Sequence, residues 1–346
     1  MLGYIVKRLL LMIPTLLGIL TLTFIVIQFV PGGPVDQLVA EARQRGGGGG
    51  ETSGYSARRD IDAKQLAELK ALYGFDKPAH VRYVEMLQNF ARFELGRSFM
   101  QNKDVWSLLK EKLPVSASLG VWTFLISYLI SVPLGIAKAV REGSRFDVAT
   151  TLAILVGFAI PGFVLGVFLI VLFAGGSFLD WFPLRGLVSD HWRELSWPGR
   201  IADYFWHLTL PLICIVIGSF AVMTMLTKNT FVEEMRKQYV LVARAKGLSE
   251  RRVLWKHIFR NALIPLVTGF PGAFVGAFFA GSLLIETLFS LDGLGLLSYE
   301  SVVRRDYPVV LGSLYLFTLI GLVVKLVADL LYVAVDPRVQ FASVAK

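Results

Sequence analysis

The sequence predicts an all-α integral membrane protein with six transmembrane helices, and three observations predict it. Hydrophobic residues make up 55% of the 346-residue chain, and the mean hydropathy of +0.60 is not that of an ordinary soluble globule. Several apolar runs exceed the ~18 residues that mark a membrane-spanning helix. Those runs are continuous. A membrane barrel would need alternating segments of about ten residues, so the spans are helices, which satisfy their own backbone groups in hydrocarbon.

The first span comes from an apolar run from Leu9 to Val30 that stops at Val30-Pro31-Gly32-Gly33-Pro34. It is longer than the apolar region of a cleaved signal peptide, so residues 1–30 read as an uncleaved first helix. Residues 31–115 read as a small helical extracytoplasmic subdomain. Its Gly46–Gly50 run is a flexible insertion. Asp62 with Gln65 makes a capping-box-like helix start that Gly74 closes. A second helix is expected over Ala79–Phe93, and a third around Trp106–Leu113 leads into the next span.

Residues 116–335 hold the other five helices. They are expected at Ser116–Ala137, Val148–Ala174 (broken by Pro161-Gly162), Leu208–Leu226, Leu263–Phe289 and Val309–Val333. Residues 336–346 form a short tail. The loop before the fourth span carries Trp181, Trp192, Trp197 and Trp206, which an aromatic belt at a membrane interface explains economically. The single cysteine, Cys214, sits in an apolar run; it excludes an intramolecular disulfide and reads as a buried small hydrophobe.

A net charge of +9 would suggest nucleic acid or a membrane surface if it were spread over a soluble domain. Its location argues otherwise. With the amino terminus inside, the inner segments hold 16 Lys and Arg against 6 Asp and Glu, while the outer segments hold 18 of each. The surplus therefore lies on one face, which the positive-inside rule makes the cytoplasmic one, with both termini there. No nucleic-acid partner is implied.

Nine of the inner basic residues fall in the loop 228–262, around the island Phe231–Asn261. Its punctuation is helix, turn, helix. A helical pattern ends at Lys246, Gly247 closes it, and Ser249 restarts helix at Glu250. Tyr239, Val240, Val242 and Ala243 beside Arg244 and Lys246 make a short knob with apolar and basic sides. Two readings stand at this point: a docking element, or an ordinary charged loop between spans. Arg251, Arg252, Lys256 and Arg260 read as interface anchoring.

The sequence contains no GxxxxGK[ST] loop to cradle nucleotide phosphates and no HExxH metal motif. The four histidines show no recognised ligand spacing, and no Ser/His/Asp set stands out for hydrolysis. No catalytic or metal-binding residue is assigned. Three ionisable residues lie within spans: Glu286, Lys325 and Asp329. Lys325 and Asp329 are one helical turn apart and suited to pair with each other. Glu286 either faces a water-filled passage, which makes it a candidate for the translocation path, or caps a neighbouring helix end. Gly162 and Gly166, and Gly272, Gly276 and Ala280, form small-xxx-small faces for close helix approach.

The stretch Tyr239–Pro265, YVLVARAKGLSERRVLWKHIFRNALIP, strongly resembles the membrane subunits of ABC importers for dipeptides and oligopeptides. Collinear matches run through nearly the whole chain: the opening KRLLLMIPTLLGILTLTFIVIQFVPGGP, YGFDKP (Tyr73–Pro78), LGRSF (Leu95–Phe99), LPVSASLG (Leu113–Gly120), ETLFSLDGLG (Glu286–Gly295), RDYPVVLG (Arg305–Gly312) and DPR (Asp336–Arg338). The glycine-rich insertion and WFPLRGLVS (Trp181–Ser189) resemble the branch associated with uptake of microcin C-like peptides.

The resemblance implies the type I importer transmembrane fold in a bacterial inner membrane, working by alternating access. It implies a non-catalytic subunit that binds no cofactor itself, with ATP and Mg on partner ATPase subunits. The implied partners are a second homologous permease, two ATPase subunits or one fused ATPase, and an extracytoplasmic solute-binding protein. It also implies that Val240, Ala243, Arg244, Ala245, Lys246 and Gly247 form the ATPase-coupling segment. The general importer pattern carries a glutamate where this chain has Leu241 and a proline where it has Arg260, which looks like the peptide-importer variant. A stand-alone channel or proton-coupled carrier is the competing class, and the scarcity of ionisable residues in the spans counts against the carrier.

Overall fold

The computed structural model of the protein describes residues 2–29, 76–176, 178–279 and 283–335. The glycine run, the expected helix bounded by Asp62 and Gly74, and the 336–346 tail lie outside them. Among the described residues the only β pairing is one isolated bridge between Arg97 and Asp104; the rest is helix and connecting turn.

Besides one short 3-10 turn, Trp192–Glu194, the described residues form twelve helices in chain order: α1 Leu2–Phe29, α2 Ala79–Ala91, α3 Val105–Val140, α4 Arg145–Ala159, α5 Gly162–Phe173, α6 Trp197–Met235, α7 Gln238–Ala245, α8 Glu250–Ala262, α9 Ile264–Phe279, α10 Leu283–Leu288, α11 Leu294–Val303 and α12 Tyr307–Val335. Four of them, α1, α3, α6 and α12, are long and apolar enough to cross a membrane, and the number is six if α4 with α5 and α8 with α9 each form one bent span.

Both bends have a proline cause. The α4–α5 pair turns by 90°, with Ile160 held extended before Pro161 (ψ 117°), as a residue preceding proline prefers. The α8–α9 pair turns by 47° just before Pro265, whose ring cannot sit against the carbonyl four residues back in a straight helix. One expectation needs correcting. The helix around Trp106–Leu113 and the second span are a single helix, α3, which runs through Pro114 and Pro133.

The chain divides into two compact units. One comprises Met1–Ile5, Leu113–Leu296 and Gly321–Lys346. Its helices touch at glycines. A methyl group added at Gly135 of α3 would stand 2.6 Å from Thr227 Cβ of α6, and one at Gly162 of α5 would stand 2.6 Å from the Cys214 carbonyl oxygen of α6. Gly166 packs against Leu288 and the Cys214 sulfur. The third-span glycine pair is thus used for close approach within the chain. Gly272 and Gly276 have nothing within 4 Å of such a methyl. Asp329, expected to pair with Lys325, accepts a hydrogen bond from the Tyr4 hydroxyl at 3.0 Å.

The other unit comprises Val6–Lys112 and Leu297–Ile320. Tyr83 of α2 meets the Thr21 hydroxyl at 2.5 Å and the Phe24 ring at 5.3 Å on α1. Leu95, Val105, Leu108 and Leu109 are buried, and Gly312 of α12 lies close against Leu95 and Val105.

Candidate functional site

The sequence-predicted knob is α7 with the turn that follows it. Its ending is a Schellman motif: the Gly247 amide donates to the Arg244 carbonyl at 2.9 Å and the Leu248 amide to the Ala243 carbonyl at 3.3 Å. Gly247 has φ +77°, the left-handed conformation that glycine adopts without a Cβ penalty. Leu248 then packs on the same core as the helix it closes.

That core separates the knob into two faces. Val240 (0% exposed) and Ala243 point inward with Ile136 and Ala139 of α3, Phe231 of α6, and Val253, Ile258 and Ala262 of α8. The turn Val253–Ile258 is a wider π turn, so residues five apart share a face. Both Val253 and Ile258 therefore reach the core. Leu241 (58% exposed) and Val242 (53%) point outward, alongside exposed Ala245, Lys246 and Gly247. Val240 and Ala243 are the root of the knob; Val242, already among the knob residues that the sequence singles out, and Leu241, which is not, are its apolar tip. The missing signal is a local one. Val240, Leu241, Val242 and Ala243 are consecutive apolar residues, and only the position of the core tells which turn inward.

Polar contacts hold the knob in place. Arg244 forms a bidentate ion pair with Glu250 across the Gly247 turn, 2.9 Å at both nitrogens; the pair is exposed and braces more than it stabilises. At the root, buried Glu234 accepts from the Tyr239 hydroxyl at 2.7 Å and from the Lys237 ammonium. Asn261 donates to the same Tyr239 oxygen at 3.2 Å. Burial, with a smaller contribution from the Glu234 carboxylate, pushes the Tyr239 hydroxyl up to about 12, so it stays protonated as a donor.

Glu286, the candidate for the translocation path, is 0% exposed. Its carboxylate accepts from the Leu296 amide at 2.7 Å and the Ser116 hydroxyl at 3.2 Å, and Ser116 Oγ accepts from the Leu294 amide at 2.8 Å. These amides open α11, where a helix favours negative charge. The stretch ETLFSLDGLG thus loops back on itself, its glutamate meeting the helix that its closing Gly-Leu-Gly begins. A methyl group at Gly293 would stand 2.5 Å from the Glu286 carboxyl carbon, so only glycine fits there without displacement.

Ser189, Asp203 and His207 also come together, but in an order that does not make a hydrolase. Asp203 stands in the middle, taking the Ser189 hydroxyl and amide, while His207 Nδ1 meets the Asp203 main-chain oxygen at 2.9 Å. Nucleophilic catalysis needs the imidazole beside the serine.

These features define a multi-span helical membrane protein with an extramembrane knob that has a buried root and an exposed apolar tip. Residues 131–341 match the family model described as "Binding-protein-dependent transport system inner membrane component". The chain belongs to that family, as a multi-pass inner-membrane component of a transport system that works with a binding protein and an ATPase. It is 55% identical to the peptidoglycan transport system permease protein YejB of Agrobacterium fabrum over 98% of both chains. It is 52% identical to the inner membrane ABC transporter permease protein YejB of Escherichia coli O157:H7, over 98% of this chain and 99% of that one. It is also 32% identical to the oligopeptide transport system permease protein AppB of Bacillus subtilis, over 99% and 100%. Among solved structures, a chain of the MetNI methionine ABC transporter in an inward-facing form matches at 15% identity and a TM-score of 0.48, covering 67% of this chain and 97% of that one.

Proposed function

We propose that this chain is the membrane-spanning permease subunit of an ATP-driven ABC importer for peptides or peptide-like compounds. The named cargoes of its relatives, peptidoglycan and oligopeptides, support that class. In this reading a second homologous permease completes the passage, two ATPase subunits or one fused ATPase carry ATP and Mg, and an extracytoplasmic binding protein delivers cargo. Both termini and the loop 228–262 face the cytoplasm, and residues 31–115 face outward. Glu286 acts as a helix cap at the edge of the path, the role that its contacts support.

The observation that carries the coupling role is the split face of α7. A helix rooted by Val240 and Ala243 that leaves Leu241, Val242, Ala245 and Lys246 uncovered is a rigid element with a free apolar tip. That is what moving a membrane subunit from outside requires, since coupling travels through elements that hold their shape. The motor reaches the tip, and Gly247 with the Arg244–Glu250 pair fixes its angle.

The deciding experiment is affinity purification of this chain in mild detergent with nucleotide present, followed by reconstitution. The expected result is co-recovery of an ATPase, a sister permease and a binding protein, with peptide uptake that requires all of them and ATP. Peptide uptake by this chain alone in ATP-free vesicles would instead establish a channel or carrier.

A further inference from the structure

Lys138 is 0% exposed and is among the largest side chains of the protein to be fully buried. An ammonium in that position is tolerated only when it is paired and hydrogen-bonded. Its Nζ lies 3.1 Å from Asp147 Oδ1 and donates to the Asp147 carbonyl at 2.9 Å and to the Thr150 and Thr151 hydroxyls at 2.7 Å each. The other carboxylate oxygen, Oδ2, takes the Lys228 ammonium at 2.7 Å and the Gly143 amide at 3.1 Å. One buried carboxylate therefore bridges two ammonium groups on two different helices. Lys138 is on the last turn of α3, Asp147 on the first turn of α4, and Lys228 near the end of α6.

The position of this bridge is the informative part. Lys138 lies between Ile136 and Ala139, and Lys228 lies one turn before Phe231; all three apolar neighbours belong to the core that roots Val240 and Ala243. The two helices meet at Gly135 and Thr227 immediately alongside. The ends of α3 and α6 are thus the socket of the knob. Asp147 attaches to that socket the start of α4, the first half of the bent third span. A lock that served stability alone would be made as well or better by apolar side chains, because burying charges offsets much of their attraction.

We propose that Asp147 is a positioning residue for energy coupling. Held by Lys138 and Lys228, it makes the start of the third span follow the socket when the knob moves. The inference rests on the coupling reading of α7.

The test uses the reconstituted importer in proteoliposomes, with ATP hydrolysis, peptide uptake and ATPase capture measured on the same preparations. Asp147→Asn is expected to keep ATPase capture and to lower peptide taken up per ATP hydrolysed about tenfold, the scale of a typical coupling free energy. Asp147→Glu is expected to restore part of that ratio. If Asp147→Asn fails to insert, Lys228→Met, which leaves the Asp147–Lys138 pair in place, is expected to lower the same ratio. An unchanged ratio overturns the proposal, whether both activities persist or both fall together with the amount of assembled protein. Val242→Arg serves as the control for the underlying reading: if ATPase capture survives it, the coupling role of α7 fails instead.

Discussion

The Asp306 carboxylate accepts the Ser98 hydroxyl at 2.5 Å, joining residues 208 positions apart, and both side chains are buried. The same carboxylate takes the Phe99 amide at 2.9 Å and the Met100 amide at 3.4 Å. It thereby ties the LGRSF turn to the start of α12. Hydrogen bonds to a charged acceptor contribute roughly 1.5–3 kcal/mol each, and the donors left behind stay buried. Asp306→Ala should therefore lower the thermal midpoint of the solubilised protein much more than Ser98→Ala does. Amide exchange should rise at Phe99 and Met100 in the Asp306 variant alone.

Adjacent residues on α7 should behave in opposite ways. Leu241→Asp alters the exposed tip, so the chain should insert and fold normally yet capture its ATPase at least about tenfold less well, the scale of an interface hot spot. Val240→Asp places a charge in the root core and should reduce the amount of folded protein itself. Size-exclusion profiles and ATPase pull-down, read together, separate the two outcomes. Equal folding defects in both variants would contradict the split face.

At Gly247 the test is purely conformational. A methyl group there meets nothing within 4 Å, while φ is +77°. Gly247→Ala should then cost about 1–2 kcal/mol of turn stability through the backbone alone. The expected signs are faster exchange of the Leu248 amide and weakened coupling, with no loss of folded protein. Gly247→Asn should be milder, because asparagine visits this conformation more readily.

The two glycine faces should also part company. Gly162→Ala drives a methyl group into the Cys214 carbonyl and should destabilise the solubilised chain by about 1–3 kcal/mol, the usual cost of overpacking. Gly272→Ala and Gly276→Ala should leave the isolated chain's thermal midpoint unchanged. Thermal melts of the three variants check this.

Much of the architecture was legible because its causes are local. Continuous apolar runs marked the spans, Pro161-Gly162 marked the sharpest bend, and Gly247 with Ser249 marked the helix–turn–helix of the knob. The helix expected around Trp106–Leu113 and the span expected from Ser116 are one helix, since α3 accommodates Pro114 without a break. The site was less legible. Four consecutive apolar residues of α7 give no clue to which pair turns inward until α3, α6 and α8 supply a core. Lys138 and Asp147 fall in the short stretch between the expected second and third spans, although both are buried and Asp147 pairs with distant Lys228. Ser98 and Asp306 stood in two separate motif matches, and nothing in the linear order joins them.

Cys214, the chain's only cysteine, is buried where α5 crosses α6, with its sulfur against Gly166. A water-borne thiol reagent therefore has no native target on the folded subunit. A cysteine placed at Lys246 or Leu241 would be the single reactive handle, with no background mutations required. Spin labels or fluorophores there would report directly on the knob as the transporter cycles.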